Sequence, residues 1–442
     1  MSKSGRRPQR PPVSVQVTGL SHEGKGVAHI DGKAVFVTGA LPGEQVEARV
    51  VKTHRHFDEA DLVRVITASP QRVAARCEHF GVCGGCVLQH LDTDAQLNYK
   101  QAQLLDNLRH IGGVSPMQVL PALRGDTWGY RRKARLGVKY VAKKSRVLVG
   151  FRERNSHFLT DVRHCPVLHP NIGERLDALA EAVSQLSVHA QIPQIEVAIG
   201  DHGQTLLVRH LAALTDNDRQ TLRSFGQAYG FTILLQGDGP GQLEPVTRTD
   251  KKLQYELPEF GLTFDFGVNE FTQINHALNR RMVKLAIEML ALRDSDQVLD
   301  LFCGLGNFSL AMAKCATTVI GVEGEVKAIA RARENAADNG VDNAQFYVQN
   351  LSGDFAGAPW TRREYTKILL DPPRTGAYEA LLQLHRLRPE RIVYVSCNPA
   401  TLARDTRYIV EEMGYKLSTV CIMDMFPHTA HVESMALFVR KG

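Results

Sequence analysis

The stretch Val298-Leu-Asp-Leu-Phe-Cys-Gly-Leu-Gly-Asn-Phe-Ser-Leu310 decides the fold. Its first part, Val298 to Phe302, is a largely apolar run that reads as a buried parallel strand. The run breaks at Cys303-Gly304-Leu305-Gly306, and Asn307 opens an apolar-periodic segment that reads as a helix. Strand, glycine turn and helix in that order open a nucleotide-type cofactor site in a doubly wound α/β domain. Glu323 ends the next apolar run, Thr318 to Val322, roughly 20 residues past the first strand, where an acid suits a ribose hydroxyl pair. The turn is not G-x-G-x-x-G, so a dinucleotide fits poorly. S-adenosylmethionine, which has a ribose and no pyrophosphate, fits better.

Working outward, later apolar runs end in polar residues. Tyr347-Val-Gln-Asn350 reads as a third strand with a polar end, and Lys367-Ile-Leu-Leu-Asp-Pro-Pro-Arg374 as a buried strand ending in Asp371. Arg391-Ile-Val-Tyr-Val-Ser-Cys-Asn-Pro399 places Cys397 after an apolar strand and before a helix starting near Pro399. In open α/β sheets the ligand crevice lies at the carboxyl ends of the strands. Asp300, Glu323, Asn350, Asp371 and Cys397 all fall at such ends. A thiol beside helix-terminal amides is partly stabilised as thiolate, which is the nucleophilic form. Glu433 lies just before the last strand, Met435 to Val439, as an available base, and His428 and His431 compete for that role.

The chain has 442 residues, 43% of them hydrophobic, a net charge of +6 and eight cysteines. That length suits two to four domains. No apolar run approaches membrane length and no signal-peptide core is present, which implies a soluble, cytoplasmic protein with reduced, metal-bound or catalytic cysteines. Residues 1–12 read as a basic disordered arm. Val13, Val15 and Val17 alternate with polar residues, and short strands follow to Ile66 at near ten-residue spacing, so residues 13–67 read as a small β-barrel. Gly19-Leu-Ser-His-Glu-Gly-Lys-Gly-Val27 and Leu41-Pro-Gly-Glu44 give that barrel a resemblance to the TRAM module, an OB-like RNA-binding fold. Lys52, His54, Arg55 and His56 suggest a phosphate contact.

Cys77-x5-Cys83-Gly-Gly-Cys86, with Cys165-Pro166 far downstream, is the spacing of a four-cysteine [4Fe–4S] site within residues 68–92 and beyond. A second C-x2-C knuckle is missing, which disfavours a zinc ribbon. The absence of C-x3-C-x2-C disfavours a radical enzyme. Residues 93–119 carry a helix opened by Thr93-x-x-Gln96 and packed on the catalytic domain. Residues 120–265 read as a central α+β domain. From Arg131 to Arg154 it holds ten basic residues against one acid, interleaved with Tyr140 and Phe151, a pattern suited to nucleic acid. Residues 266–442 form the α/β domain.

Asp-Leu-Phe-Cys-Gly-Leu-Gly-Asn-Phe (300–308), Asp-Pro-Pro-Arg (371–374), Ser-Cys-Asn-Pro (396–399) and His-Val-Glu-Ser-Met (431–435) together resemble the uracil-C5 RNA methyltransferases. The expected fold class is thus multidomain: a TRAM-like barrel, a central α+β domain with an iron–sulfur cluster held by Cys77, Cys83, Cys86 and Cys165, and a class I Rossmann-like methyltransferase domain. The resemblance implies that Gln273, Phe302, Asn307, Glu323, Asn350 and Asp371 hold S-adenosylmethionine, that Cys397 is the nucleophile and that Glu433 is the base. With barrel and cysteine pattern included, it implies a monomeric enzyme acting on 23S ribosomal RNA. A tRNA substrate, or a TRAM-containing radical enzyme, is the alternative.

Overall fold

The computed structural model describes residues 11–237, 239, 243–247 and 251–441. The expected arm at 1–12 falls mostly outside them. The chain divides into two compact units. One comprises the chain up to Gln103 with Glu153–Ser156 and Phe426–His431; the other comprises Leu104–Arg152, His157–Met425 and the chain from Val432.

The first unit contains a six-stranded sheet in the order Val13–Gln16, Gln45–Thr53, Phe57–Thr67, Lys33–Thr38, Gly26–Ile30, Gly19–Leu20. Its inward positions are small and β-branched (Val15, Val17, Ala28, Val35, Val37, Val46, Ala48, Ala60), the period-2 face of half-buried strands. Glu44 is fully buried, yet Arg72 grips both its carboxylate oxygens at 2.5 and 2.8 Å and the Leu41 N–H donates to it at 2.8 Å. A buried carboxylate is tolerable only when matched in this way.

Among the described residues, no group of three or more His, Cys, Asp or Glu side chains is gathered closely enough to hold a metal ion. This corrects the expected [4Fe–4S] site of Cys77, Cys83, Cys86 and Cys165, and with it the cluster-bearing central domain. Local hydrogen bonding closes the cysteine loop: Phe80 N–H donates to Cys77 O at 3.0 Å, Cys83 N–H to His79 O at 2.9 Å and Gly85 N–H to Cys83 Sγ at 3.4 Å. Arg154 donates to Cys86 O at 2.9 Å and lies 5.8 Å from the Phe80 ring centroid. Spacing in sequence brings cysteines near one another along the chain. It does not aim their sulfurs at one point, and here turns and Arg154 shape the loop.

The helix Thr93–His110 begins one residue away from the expected cap. Asp92 Oδ1 accepts from Asp94 N–H and Ala95 N–H at 2.9 and 3.2 Å, while Gln96 instead donates to Leu88 O and Leu91 O.

The second unit holds two sheets and a hairpin. The six-stranded sheet runs Glu244–Pro245, Thr232–Gln236, Gln204–Arg209, Gln194–Ile199, Lys133–Val141, Arg146–Gly150. Helices Leu176–Ser184 and Asp216–Tyr229 supply apolar residues to the same core as this sheet. The eight-stranded sheet runs Ala344–Val348, Thr318–Glu323, Gln297–Leu301, Lys367–Leu370, Arg391–Ser396, Glu433–Arg440, Tyr415–Met423, Gln118–Val119. The first five strands are mutually parallel and Glu433–Arg440 is antiparallel to its neighbours. The chain leaves Gln297–Leu301 toward one edge and later returns to its other side, so the topological switch lies beside the glycine turn. The hairpin Gln254–Leu257/Leu262–Asp265 is tied to helix Val326–Asp338 and the residue after it: Asp265 N–H donates to Asn335 Oδ1 at 2.9 Å and Thr263 N–H to Asn339 Oδ1 at 2.8 Å. No helix among the described residues is long and apolar enough to cross a membrane.

Candidate active site

At the carboxyl end of Gln297–Leu301 the chain turns sharply. Phe302 adopts φ 65°, a left-handed conformation that a non-glycine residue holds only at a cost, and Gly304 and Gly306 follow at 54° and 93°. Phe302 N–H and Cys303 N–H both donate to Val322 O, at 2.9 and 3.2 Å, which holds the turn against the next strand. A Cβ at Gly304 would meet nothing within 4 Å, so open space lies against the backbone there. Gly304 N–H donates to Glu323 Oε2 at 3.3 Å, and Glu323 Oε1 accepts from Gly324 and Glu325 N–H at 2.6 and 3.1 Å.

Three acids converge at these strand ends. Asp300 is fully buried, and its Oδ2 accepts from Ser309 Oγ at 2.5 Å while Oδ1 has no partner. Burial, with Asp371 and Glu323 adding repulsion, pushes its carboxyl up to about 8. Enclosure by protein and the charge of Glu323 push Asp371 up to about 7, although it keeps a partly exposed edge. Clustered acids that repel one another suit a cation, whose charge would relieve the repulsion, and a sulfonium bound to a nucleoside is one. Open space at Gly304 and an unmatched buried oxygen on Asp300 meet the requirement for S-adenosylmethionine.

Asn350 and Asn307 follow strands of the same sheet, and Gln273 lies in a loop before a helix. Asn350 follows strand Ala344–Val348, and its Oδ1 accepts from Ser352 N–H at 3.0 Å. Gln273 lies half-buried in the loop before helix His276–Leu290, which Asn275 caps by accepting from Leu278 N–H at 3.2 Å. Asn307 is engaged with protein: Tyr255 and Asn279 both donate to its Oδ1 at 2.9 Å.

Cys397 follows strand Arg391–Ser396 directly. Ser396 is registered against Ser434 of the antiparallel strand, so Cys397 and Glu433 flank one cross-strand pair at the ends of two interior strands. The thiol is half-buried and pushed up to about 11, first by burial, then by Glu433 and Asp371, with Arg374 pulling the other way. Burial and two acids act against the thiolate that the helix start is expected to stabilise. Pro399 at the first turn has no N–H, and Ala400 N–H is already spent on Asn398 Oδ1 at 3.1 Å. The cap takes one helix amide and Pro399 lacks another, so a single backbone amide favours the thiolate against burial and two acids.

The Asp371–Arg374 loop is fixed to the element that carries the thiol. Asn398 Nδ2 and Thr401 Oγ1 donate to Arg374 O at 3.0 and 3.2 Å, and Arg404 Nη2 to Thr375 O at 3.0 Å. Buried Asp405 accepts from Ala377 N–H and Tyr394 Oη, each at 2.7 Å. A Cβ at Gly376, where φ is +84°, would stand 2.6 Å from Asp405, so only glycine fits. The competing histidines lie in the first unit. His428 is buried and its N–H donates to Gln96 Oε1 at 2.9 Å, whereas the exposed His431 ring stands 5.5 Å from Phe426.

Much of the basic segment is partnered. Arg132 pairs with Asp201 at 3.2 Å and donates to Gly200 O at 2.7 Å. Lys133 donates to Glu270 O, and burial draws it down to about 8 against the pull of Glu196 and Glu270. Lys144 and Arg146 pair with Asp161, and Arg146 also with Asp177. Lys139, Lys143 and Arg152 remain exposed. On the small sheet, His54 bonds Glu59 at 2.9 Å, while Lys52, Arg55 and His56 are exposed.

A parallel sheet with a glycine turn, acids at its switch point and a thiol beside a carboxylate defines a methyltransferase-type site. The tRNA (uracil-5-)-methyltransferase family profile matches residues 249–441 and the TRAM domain profile residues 12–63. The chain is 49% identical over the full length of both chains to the 23S rRNA (uracil(1939)-C(5))-methyltransferase RlmD of Xanthomonas axonopodis pv. citri, and 48% identical, again over both full lengths, to that of Methylococcus capsulatus. A solved structure, the Pyrococcus abyssi tRNA (uracil-54, C5)-methyltransferase in complex with S-adenosyl-L-homocysteine, is similar with a TM-score of 0.74 and 25% identity, covering 97% of this chain and all of that one. The chain belongs to the family of RNA uracil-C5 methyltransferases, within its RlmD group.

Proposed function

We propose that this chain is an S-adenosylmethionine-dependent methyltransferase that forms 5-methyluridine in 23S ribosomal RNA, at the uracil its relatives' names number 1939. The observation that carries the reading is the pairing of Cys397 with Glu433 beside the acid-lined glycine turn. Residues 266–442 do the chemistry, and the barrel at 13–67 and the region 120–265 hold RNA. The protein acts as a cytoplasmic monomer.

C5 of uracil is too electron-poor to take a methyl group unaided. Cys397 Sγ bonds to C6 as its S–H proton passes to solvent water, and the C5=C6 electron pair moves onto C5 and O4. S-adenosylmethionine, when held by Gln273, Phe302, Asn307, Glu323, Asn350 and Asp371, would supply the methyl group that C5 takes and would leave as S-adenosylhomocysteine. Glu433 then accepts the proton from the now sp3 C5, the C5=C6 bond reforms, and the C6–S bond breaks to return the sulfur to Cys397. The target base reaches Cys397 from a single-stranded loop or by leaving its stack. Incubation with 23S and tRNA transcripts, followed by mapping of 5-methyluridine, tests the reading. Product on the tRNA alone would move the chain to the substrate class of the Pyrococcus abyssi relative.

A further inference from the structure

We propose that Tyr255 and Asn279 are positioning residues for the cofactor turn and act through Asn307. This rests on the assignment of that turn to S-adenosylmethionine. Asn307 follows Gly306 directly, and its carboxamide oxygen accepts two bonds from protein while its Nδ2 donates one. Asn279 Nδ2 donates to Asn307 Oδ1 at 2.9 Å, Asn307 Nδ2 donates back to Asn279 Oδ1 at 3.0 Å, and Tyr255 Oη donates to the same Asn307 Oδ1 at 2.9 Å. Asn279 and Tyr255 are 2% and 3% exposed. With no water to replace a lost bond, each member left alone becomes an unmatched buried polar group. Burial also drives the Tyr255 phenol well up, so it stays a donor.

The clamp is itself rigid. The Tyr255 ring stacks on Phe264 with centroids 4.8 Å apart and planes 2° apart, and Asn279 sits in the first turns of helix His276–Leu290. From helix Val326–Asp338, Asn335 Nδ2 reaches Leu305 O at 3.4 Å. Asn307 therefore holds the left-handed turn in shape before a ligand arrives, with its carboxamide oxygen bonded to protein and one Nδ2 N–H left over. Preorganisation of this kind raises affinity by removing the ordering cost of binding. Neither Tyr255 nor Asn279 bonds the Cys397 loop in the contacts above, so the effect falls on the cofactor and not on the thiol.

Tyr255→Phe removes one oxygen and keeps the ring stack. In the full chain, calorimetric titration should show affinity for S-adenosylmethionine about tenfold weaker than wild type. KM for S-adenosylmethionine should rise in step, with kcat at saturation within about twofold. The rate of Cys397 alkylation should be unchanged. In an Asn307→Ala background, Tyr255→Phe should cost nothing further, because its route is already cut. Wild-type affinity in Tyr255→Phe, or full additivity with Asn307→Ala, would overturn the inference. If Tyr255→Phe does not fold, Asn279→Asp, which exchanges the donor for a second acceptor, is read in the same two ways. Wild-type protein that fails to bind S-adenosylmethionine would sink the assignment of the turn itself, an outcome distinct from these.

Discussion

Cys397 and Glu433 stand on antiparallel neighbours, each next to one member of the registered pair Ser396–Ser434. One residue follows its strand and the other begins its own, so a nucleophile and a carboxylate far apart in sequence meet at the ends of two interior strands. Because the strands run in opposite senses, a one-residue slip in register would turn the side chains of one strand to the other face and break the pairing.

This pairing separates two steps that substitution can tell apart. Cys397→Ala should abolish methyl transfer while leaving RNA affinity within about twofold, measured by filter binding beside a methylation assay. Glu433→Gln should still form the carbon–sulfur bond but stall before elimination, so an RNA–protein adduct should persist on denaturing gels. Turnover by Cys397→Ala would end the nucleophile assignment, and the absence of adduct with Glu433→Gln would end the base assignment.

The thiol is held protonated in the ligand-free protein. Alkylation at Cys397, read by peptide mapping because the chain has eight cysteines, should be slow at neutral pH and rise toward about 11. Glu433→Gln removes a negative neighbour and should shift the rise to lower pH; Arg374→Ala removes the opposing cation and should shift it upward. Labelling at pH 7 as fast as free cysteine would contradict the geometry described.

Asp300 gives the stability a pH dependence of defined sign. Its carboxyl sits at about 8 in the fold and near 4 when unfolded, so between those values the folded state binds the extra proton. Stability from this group is therefore lost as pH rises through that window, by up to about 1.4 kcal/mol per pH unit. Asp300→Asn keeps an acceptor for Ser309 and removes the charge. Urea unfolding of ligand-free protein should show the variant gaining on wild type from pH 5 to pH 8, and parallel profiles would refute the account.

Local patterns in the chain carried the sheet well and the site unevenly. The apolar runs at 298–302, 318–322, 367–370 and 391–396 are strands because buried parallel strands are apolar on both faces. Their polar ends mark the crevice because strand ends are where the chain leaves the core. The helix expected from Asn307 is only Ser309–Ala313, since the turn takes the residues before it. Asn279 escaped notice, though a polar residue among Leu278, Met282 and Val283 on an apolar helix face is the kind of signal that marks a buried partner. The cysteine spacing misled because proximity along the chain says nothing of where sulfurs point. How far helix amides favour the thiolate depends on the cap, which the sequence pattern does not show, and Asn398 takes one of them.

The partnered state of the basic segment bears on ionic strength. Ten cationic side chains lie between Arg131 and Arg154, yet Arg132, Lys144 and Arg146 already face aspartates and Lys133 is turned onto a carbonyl. Only charges that meet phosphates release counterions, at roughly 0.7 ions per phosphate on a single strand. The logarithm of RNA affinity should thus fall with the logarithm of potassium chloride concentration less steeply than ten free cations would dictate. Whatever RNA this chain takes up would then be surrendered to brine less readily than its tally of cations suggests.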